Sequence, residues 1–176
     1  MGFCLFGNVA VAAHYARSAH SLQRVLIVDW DVHHGNGTQA LVEHEPDIHF
    51  VSMHQWPWYP GTGAASDTGP HGTVWNIPMP PGLAAERYVE ALERGVDAAT
   101  QRFVPDIILL SAGFDSLASD PLGGFTLEVD HIVQLTRSLV ERAISSCGGR
   151  MVSALEGGYA PDALGEACVA HLSALA

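Results

Sequence analysis

Short, mostly apolar runs alternating with longer amphipathic stretches constrain this chain more than any other feature. Val25-Leu26-Ile27-Val28, Ile48-His49-Phe50-Val51, Ile107-Ile108-Leu109-Leu110 and Met151-Val152-Ser153-Ala154-Leu155 have the length and character of strands buried on both faces. Between and around them, apolar residues recur at three- and four-residue spacing. Tyr88, Leu92, Val96, Ala99 and Phe103 form one such set, and Val129, Ile132, Val133, Val140 and Ile144 another. Further helices are expected from Asn8 to about His20 and through Leu164 to Leu172. Strand–helix alternation predicts crossover connections and a mostly parallel α/β sheet. A chain of 176 residues with 48% hydrophobic content has enough apolar material for one such domain.

From residue 54 to 83 the pattern breaks into loops punctuated by proline and glycine, with one short strand expected at Val74–Ile77. A loop of that length inside a compact domain is usually functional. The net charge is −11, with eight arginines and no lysine. That balance argues against a nucleic-acid binder and suits a cationic substrate, although acidity also serves solubility alone. Cys4, Cys147 and Cys168 show no CxxC spacing and an odd count, so a reducing compartment without disulfides is expected. No signal-like segment or apolar run of membrane-spanning length occurs, so cytoplasmic residence without a membrane is the expectation. Apolar Phe3, Leu5 and Phe6 at the very start suggest a cut through a domain.

Polar residues collect just beyond the expected strands. Asp29, Asp31, His33 and His34 follow the first; Ser52, Met53 and His54 end the second; Asp115 and then Asp120 follow the third; Glu156, Gly157, Gly158 and Tyr159 follow the last. Ligands of open parallel sheets bind at the carboxyl ends of strands. Asp31 and His33 lie two apart and point the same way. They offer two of the three protein ligands of a catalytic zinc site, with Asp120 the candidate third. Asp29 shares their parity and can orient or tune the site. Each residue also has a plainer reading. A strand-end Asp caps helices, a Tyr after two glycines forms turns, Phe3 and Tyr59 can be core aromatics, and His34, His54 and His71 can be hydrogen-bonded loop residues. For His34 a structural hydrogen bond is the favoured reading.

Five blocks, in order, resemble the signature segments of the zinc-dependent histone deacetylases. They are Gly2-Phe3-Cys4, Asp29 through Gly37, Tyr59-Pro60-Gly61-Thr62-Gly63, Gly113 through Gly123, and Glu156-Gly157-Gly158-Tyr159. Asn36 and Glu156 make the chain more similar to the class II branch, which includes acetylpolyamine amidohydrolases. The resemblance implies an arginase/deacetylase-like fold: a three-layer, open, mostly parallel α/β sheet flanked by helices, incomplete at its N-terminus. Residues 1–176 would form the C-terminal portion of a single catalytic domain. It further implies Asp31, His33 and Asp120 as zinc ligands, Tyr159 as the carbonyl-polarising catalytic residue, and Gly2, Phe3, Tyr59 and Gly157 as the substrate tunnel. Asp29, Ser52 and Met53 would hold a structural potassium ion.

The family places a tandem histidine pair shortly before the Gly-Phe-Cys block, and the sequence begins at Met1 without it. Loss of general acid–base help costs about 10²–10⁴ in rate. The expected function is therefore a zinc amidohydrolase acting on acetyl-lysine in proteins, weak or inactive as this stretch alone. Acetylpolyamine hydrolysis and a non-catalytic zinc-binding remnant are the alternatives, and a homo-oligomer is compatible with either. A binuclear manganese centre of the arginase type is disfavoured, because no second carboxylate-rich ligand set is evident.

Overall fold

The computed structural model describes residues 3–101 and 103–176. Five strands form one parallel sheet: β1 (Val25–Asp29), β2 (Ile48–Gln55), β3 (Val74–Met79), β4 (Ile107–Ala112) and β5 (Met151–Leu155). Five helices accompany them: α1 (Asn8–His20), α2 (Asn36–Val42), α3 (Ala85–Thr100), α4 (Val129–Cys147) and α5 (Pro161–Leu175). The order across the sheet is β3-β2-β1-β4-β5. This is the parallel sheet flanked by helices that strand–helix alternation predicts.

Every residue of β1 is buried. Its alternate residues feed two cores, as strand pleating requires. Leu26 and Val28 join Leu92 and Val96 of α3, Leu135 and Leu139 of α4 and Ala167 of α5. Val25 and Ile27 face the opposite side with Val9, Ala10 and Ala13 of α1 and Val42 of α2. The result is three layers. α4 begins with reciprocal capping between Glu128 and His131 and ends at Gly148 in the left-handed conformation.

The two sheet edges differ. β3 carries Pro78, which lacks a ladder donor and belongs on an edge. At the other edge, β5 leaves Val152 and Leu155 more than half exposed. Among the described residues, no helix is long and apolar enough to cross a membrane.

β1 lies between β2 and β4, so the chain leaves it in one direction and returns to its other side. Such a reversal opens a crevice at the carboxyl ends of the two central strands. Register sets Val25 beside Ile107 and Asp29 beside Ser111. Continuing the same offset past the strand ends sets His33 opposite Asp115.

Candidate metal centre and acyl cleft

Asp31, His33 and Asp115 converge at that crevice, their candidate ligand atoms all within 4.8 Å of one another. His33 Nδ1 lies 3.0 Å from Asp31 Oδ1 and 3.2 Å from Asp115 Oδ2. The carboxylates are held from behind by backbone donors. Val32 N–H donates to Asp115 Oδ1 at 2.8 Å, His33 N–H to Asp31 Oδ1 at 2.9 Å, and Gly157 N–H to Asp31 Oδ2 at 2.9 Å. Asp115 Oδ2 is buried and makes no hydrogen bond besides its contact with His33 Nδ1. A carboxylate oxygen so buried is costly unless a cationic group meets it, and His33 Nδ1, 3.2 Å away, is the group that faces it here. An imidazole between two carboxylates, their donor atoms within 4.8 Å of one another, is a donor set that fits zinc.

Asp120, the expected third ligand, is not in this cluster. Its Oδ2 accepts the Tyr159 N–H at 2.6 Å and its Oδ1 the Leu122 N–H at 2.9 Å. Both oxygens therefore shape backbone, and Asp115 takes the position expected of Asp120. The physical reason is register: Asp115 stands level with His33, whereas the chain has turned away by Asp120. The strand pairing was the signal that could have found Asp115 from sequence.

A cleft of about 920 Å³ opens over two of the triad, Asp31 and His33, and is lined also by Phe3, Tyr59, Gly157 and Tyr159. The Phe3 ring meets Tyr159 edge-on at 5.8 Å, and Tyr59 meets His33 edge-on at 6.1 Å. Both Phe3 and Tyr59 are largely exposed rather than packed in the core. Gly2, the remaining expected tunnel residue, lies outside the described residues. Gly157 is required by close approach. A Cβ there would sit 2.1 Å from Asp115 Oδ2 and 2.7 Å from Asp31 Oδ2.

Residues 1–175 match the family model of the histone deacetylase domain. The chain belongs to the histone deacetylase family. It is 43% identical to histone deacetylase 14, chloroplastic, of Arabidopsis thaliana, over 99% of this chain and 42% of that protein. It is 41% identical to the histone deacetylase-like amidohydrolase of Pseudomonas aeruginosa, over 90% of this chain and 43% of that one. The crystal structure of the HDA15 HD domain superposes with a TM-score of 0.90 at 37% identity, covering 99% of this chain and 52% of that chain. The chain thus spans about half the length of these relatives.

The electrostatics of this centre follow from its burial. Burial disfavours a charged His33 ring, but hydrogen bonds to Asp115 and Asp31 outweigh it and lift the ring to about 10. Burial pushes the Asp115 carboxyl up to about 7, against the opposing hydrogen bond from His33. Burial, and then the Asp115 and Asp31 charges, raise the Tyr159 hydroxyl to about 12. Tyr159 is therefore a hydrogen-bond donor throughout the neutral range.

The three residues expected at a potassium site are adjacent in the sheet. Asp29 and Ser52 pair across β1 and β2. Asp29 is buried, its Oδ1 accepts the Asp31 N–H at 3.1 Å, and burial with the neighbouring Asp31 charge raises its pKa well above the usual range. The Met53 side chain is fully buried in the core between sheet and helices. Cys4 is exposed, Cys147 buried and Cys168 partly buried, each with a free thiol.

Proposed function

We propose that this chain carries the metal and carbonyl-polarising half of a zinc-dependent deacetylase centre acting on acetyl-lysine side chains. The observation that carries the reading is the convergence of Asp31, His33 and buried Asp115, with Asp31 and His33 lining a cleft that Tyr159 also lines. Those three residues would hold the ion. Zinc, when bound, supplies Lewis acidity toward an amide carbonyl and lowers the pKa of its bound water to about 7.

The chain's own groups divide the remaining work. Tyr159, protonated at neutral pH, can donate a hydrogen bond to the amide oxygen as negative charge builds there. Phe3 and Tyr59 offer aromatic faces to the aliphatic stem of the substrate. The net charge of −11 favours a substrate embedded in basic sequence. Asp29 and Ser52, side by side and buried, support a monovalent cation beneath the triad, with potassium the expected ion.

The finer reading is that residues 1–176, the C-terminal portion of one catalytic domain, turn over weakly alone. Among the described residues, His33 is engaged with both carboxylates, and His34 and His54 are tied into other hydrogen bonds. Neither of the latter is free to move a proton at the triad. The test is turnover of an acetyl-lysine peptide and of an acetylated polyamine, side by side, with and without added zinc. Slow, zinc-dependent hydrolysis of the peptide supports the proposal. Preference for the polyamine would reassign the substrate, and zinc binding with no hydrolysis of either would make the chain a binding module.

A further inference from the structure

Tyr59 sits on a long loop, residues 56–73, that bears one wall of the cleft. Proline and glycine interrupt that loop, so its position has to be imposed from outside. Two buried histidines below it impose that position. His34 Nδ1 lies 2.8 Å from Thr62 Oγ1, and His34 Nε2 lies 2.9 Å from Gln39 Oε1. His54 Nε2 lies 3.0 Å from the Gly63 carbonyl oxygen, and its Nδ1 lies 3.1 Å from Ser52 Oγ. The two rings are 4.8 Å apart.

The direction of each hydrogen bond is determined by its partners. The Gln39 amide nitrogen faces two carboxylates, Asp67 at 2.8 Å and Glu43 at 3.2 Å, so it donates to both. Its oxygen therefore points at His34, and it also accepts from Asn76 Nδ2 at 3.0 Å. His34 Nε2 must then carry the proton. The neutral ring leaves Nδ1 as an acceptor, which the Thr62 hydroxyl fills. By the same logic His54 donates to the Gly63 carbonyl and accepts from Ser52. Each polar atom in this circuit has one role, and a change at Thr62 cannot be absorbed by reversing a bond.

Gly63 completes the seat. It has φ of +91°, and a Cβ there would lie 2.5 Å from His54 Nε2 and 2.6 Å from His34 Cγ. Only glycine fits there. The circuit closes on the active centre: His34 follows the triad's His33 in sequence, Thr62 lies three residues from Tyr59, and the Tyr59 ring returns to within 6.1 Å of His33.

We propose that the Gln39–His34–Thr62 hydrogen-bond chain is a positioning device that fixes Tyr59 against the triad and so sets the fit of the cleft to the acyl-lysine stem. This rests on the deacetylase reading of the cleft. Thr62, His34 and Gln39 are positioning residues; none is required to touch the reacting atoms.

The test compares Thr62→Val, which keeps the shape but removes the hydroxyl, with Thr62→Ser, which restores it. Thr62→Ala carries the same readouts if the valine variant does not fold. Three measurements are made on the full chain: zinc content, amide hydrogen exchange over residues 57–63, and the KM and kcat for an acetyl-lysine peptide. Thr62→Val should keep its zinc, lose exchange protection in 57–63 and raise KM roughly three- to tenfold at nearly constant kcat, the size of one lost hydrogen bond. Thr62→Ser should return each value to within about twofold of the parent. Unchanged exchange in both Thr62→Val and Thr62→Ala overturns the positioning role, as does a fall in kcat at constant KM. If the parent chain neither binds nor hydrolyses the peptide, the deacetylase reading fails, and the exchange measurement still decides whether the chain of hydrogen bonds holds the loop.

Discussion

Asp120 accepts the backbone N–H of Tyr159 at 2.6 Å, and its second oxygen accepts that of Leu122 at 2.9 Å. A single carboxylate thereby ties the turn after β4 to the turn after β5 and fixes the backbone from which the Tyr159 side chain leaves. Asp115, five residues earlier, instead aims its Oδ2 at His33 Nδ1, 3.2 Å away. The two aspartates should separate cleanly by substitution. Asp115→Asn is expected to abolish stoichiometric zinc binding. Asp120→Ala should retain zinc while removing two charge-assisted hydrogen bonds, each worth about 1.5–3 kcal/mol. Metal analysis after dialysis, with thermal melts, checks both; zinc loss in Asp120→Ala alone would restore Asp120 to the ligand set.

Proton release should accompany metal uptake. In the metal-free triad His33 is raised to about 10 and Asp115 to about 7, so at pH 7.5 the imidazole is protonated and the carboxyl partly so. An ion needs both groups bare. Raising the pH strips these protons and favours the ion; lowering it does the reverse. Zinc affinity is expected to fall about tenfold per pH unit for each proton displaced. Calorimetric titration at pH 7.5 in two buffers of different ionisation enthalpy should show about one proton released; none would contradict the geometry.

Acid should destabilise the fold through His54. Burial first, and then the neighbouring His34, hold its ring down at about 4, below its ordinary 6.5. The folded state favours the neutral ring. Its contribution is therefore fully present above about pH 6.5 and is lost as the pH falls through 6.5 towards 4. The loss is on the order of 3 kcal/mol at most. Denaturant midpoints for the parent and His54→Gln between pH 7.5 and 4.5 isolate it, because other titrating groups are common to both. Parallel curves would show that His54 does not titrate differently on unfolding.

Tyr159→Phe removes a hydroxyl and leaves the ring contact with Phe3. Turnover is expected to fall on the order of 10²–10³-fold with zinc content unchanged. Steady-state rates at saturating peptide, set beside metal analysis, test this; an unchanged kcat would remove Tyr159 from the chemistry.

Most of the framework is legible before any coordinates, and the reasons are local. β5 and α1 coincide with the apolar run Met151–Leu155 and the stretch Asn8–His20. β2 runs on to Gln55, beyond its apolar run, because the polar Ser52, His54 and Gln55 are buried at the strand's carboxyl end where the site forms. α2 gives no amphipathic signal: it is short and begins among glycines. Phe103 fits the period of α3 but lies past its end, stacked on His49 at 3.6 Å. Asp31, His33 and Tyr159 reach one cleft because strand ends dictate where such residues gather, and Phe3, ahead of α1, and Tyr59, on the loop after β2, join them there. The choice between Asp115 and Asp120 was not local. Both follow the same strand, and only the pairing of β4 with β1 tells them apart.

The reversal of strand order at β1 has a mechanical consequence for the triad. Asp31 and His33 belong to the chain as it leaves β1, and Asp115 to the chain as it leaves β4; Val32 and Asp115, hydrogen-bonded here, are 83 residues apart. An ion held by all three would act as a removable crosslink across that long excursion, fastening the two central strands at one end. Chelation would reopen the loop, and heat-induced separation of β1 from β4 would then begin at the rim where catalysis is expected.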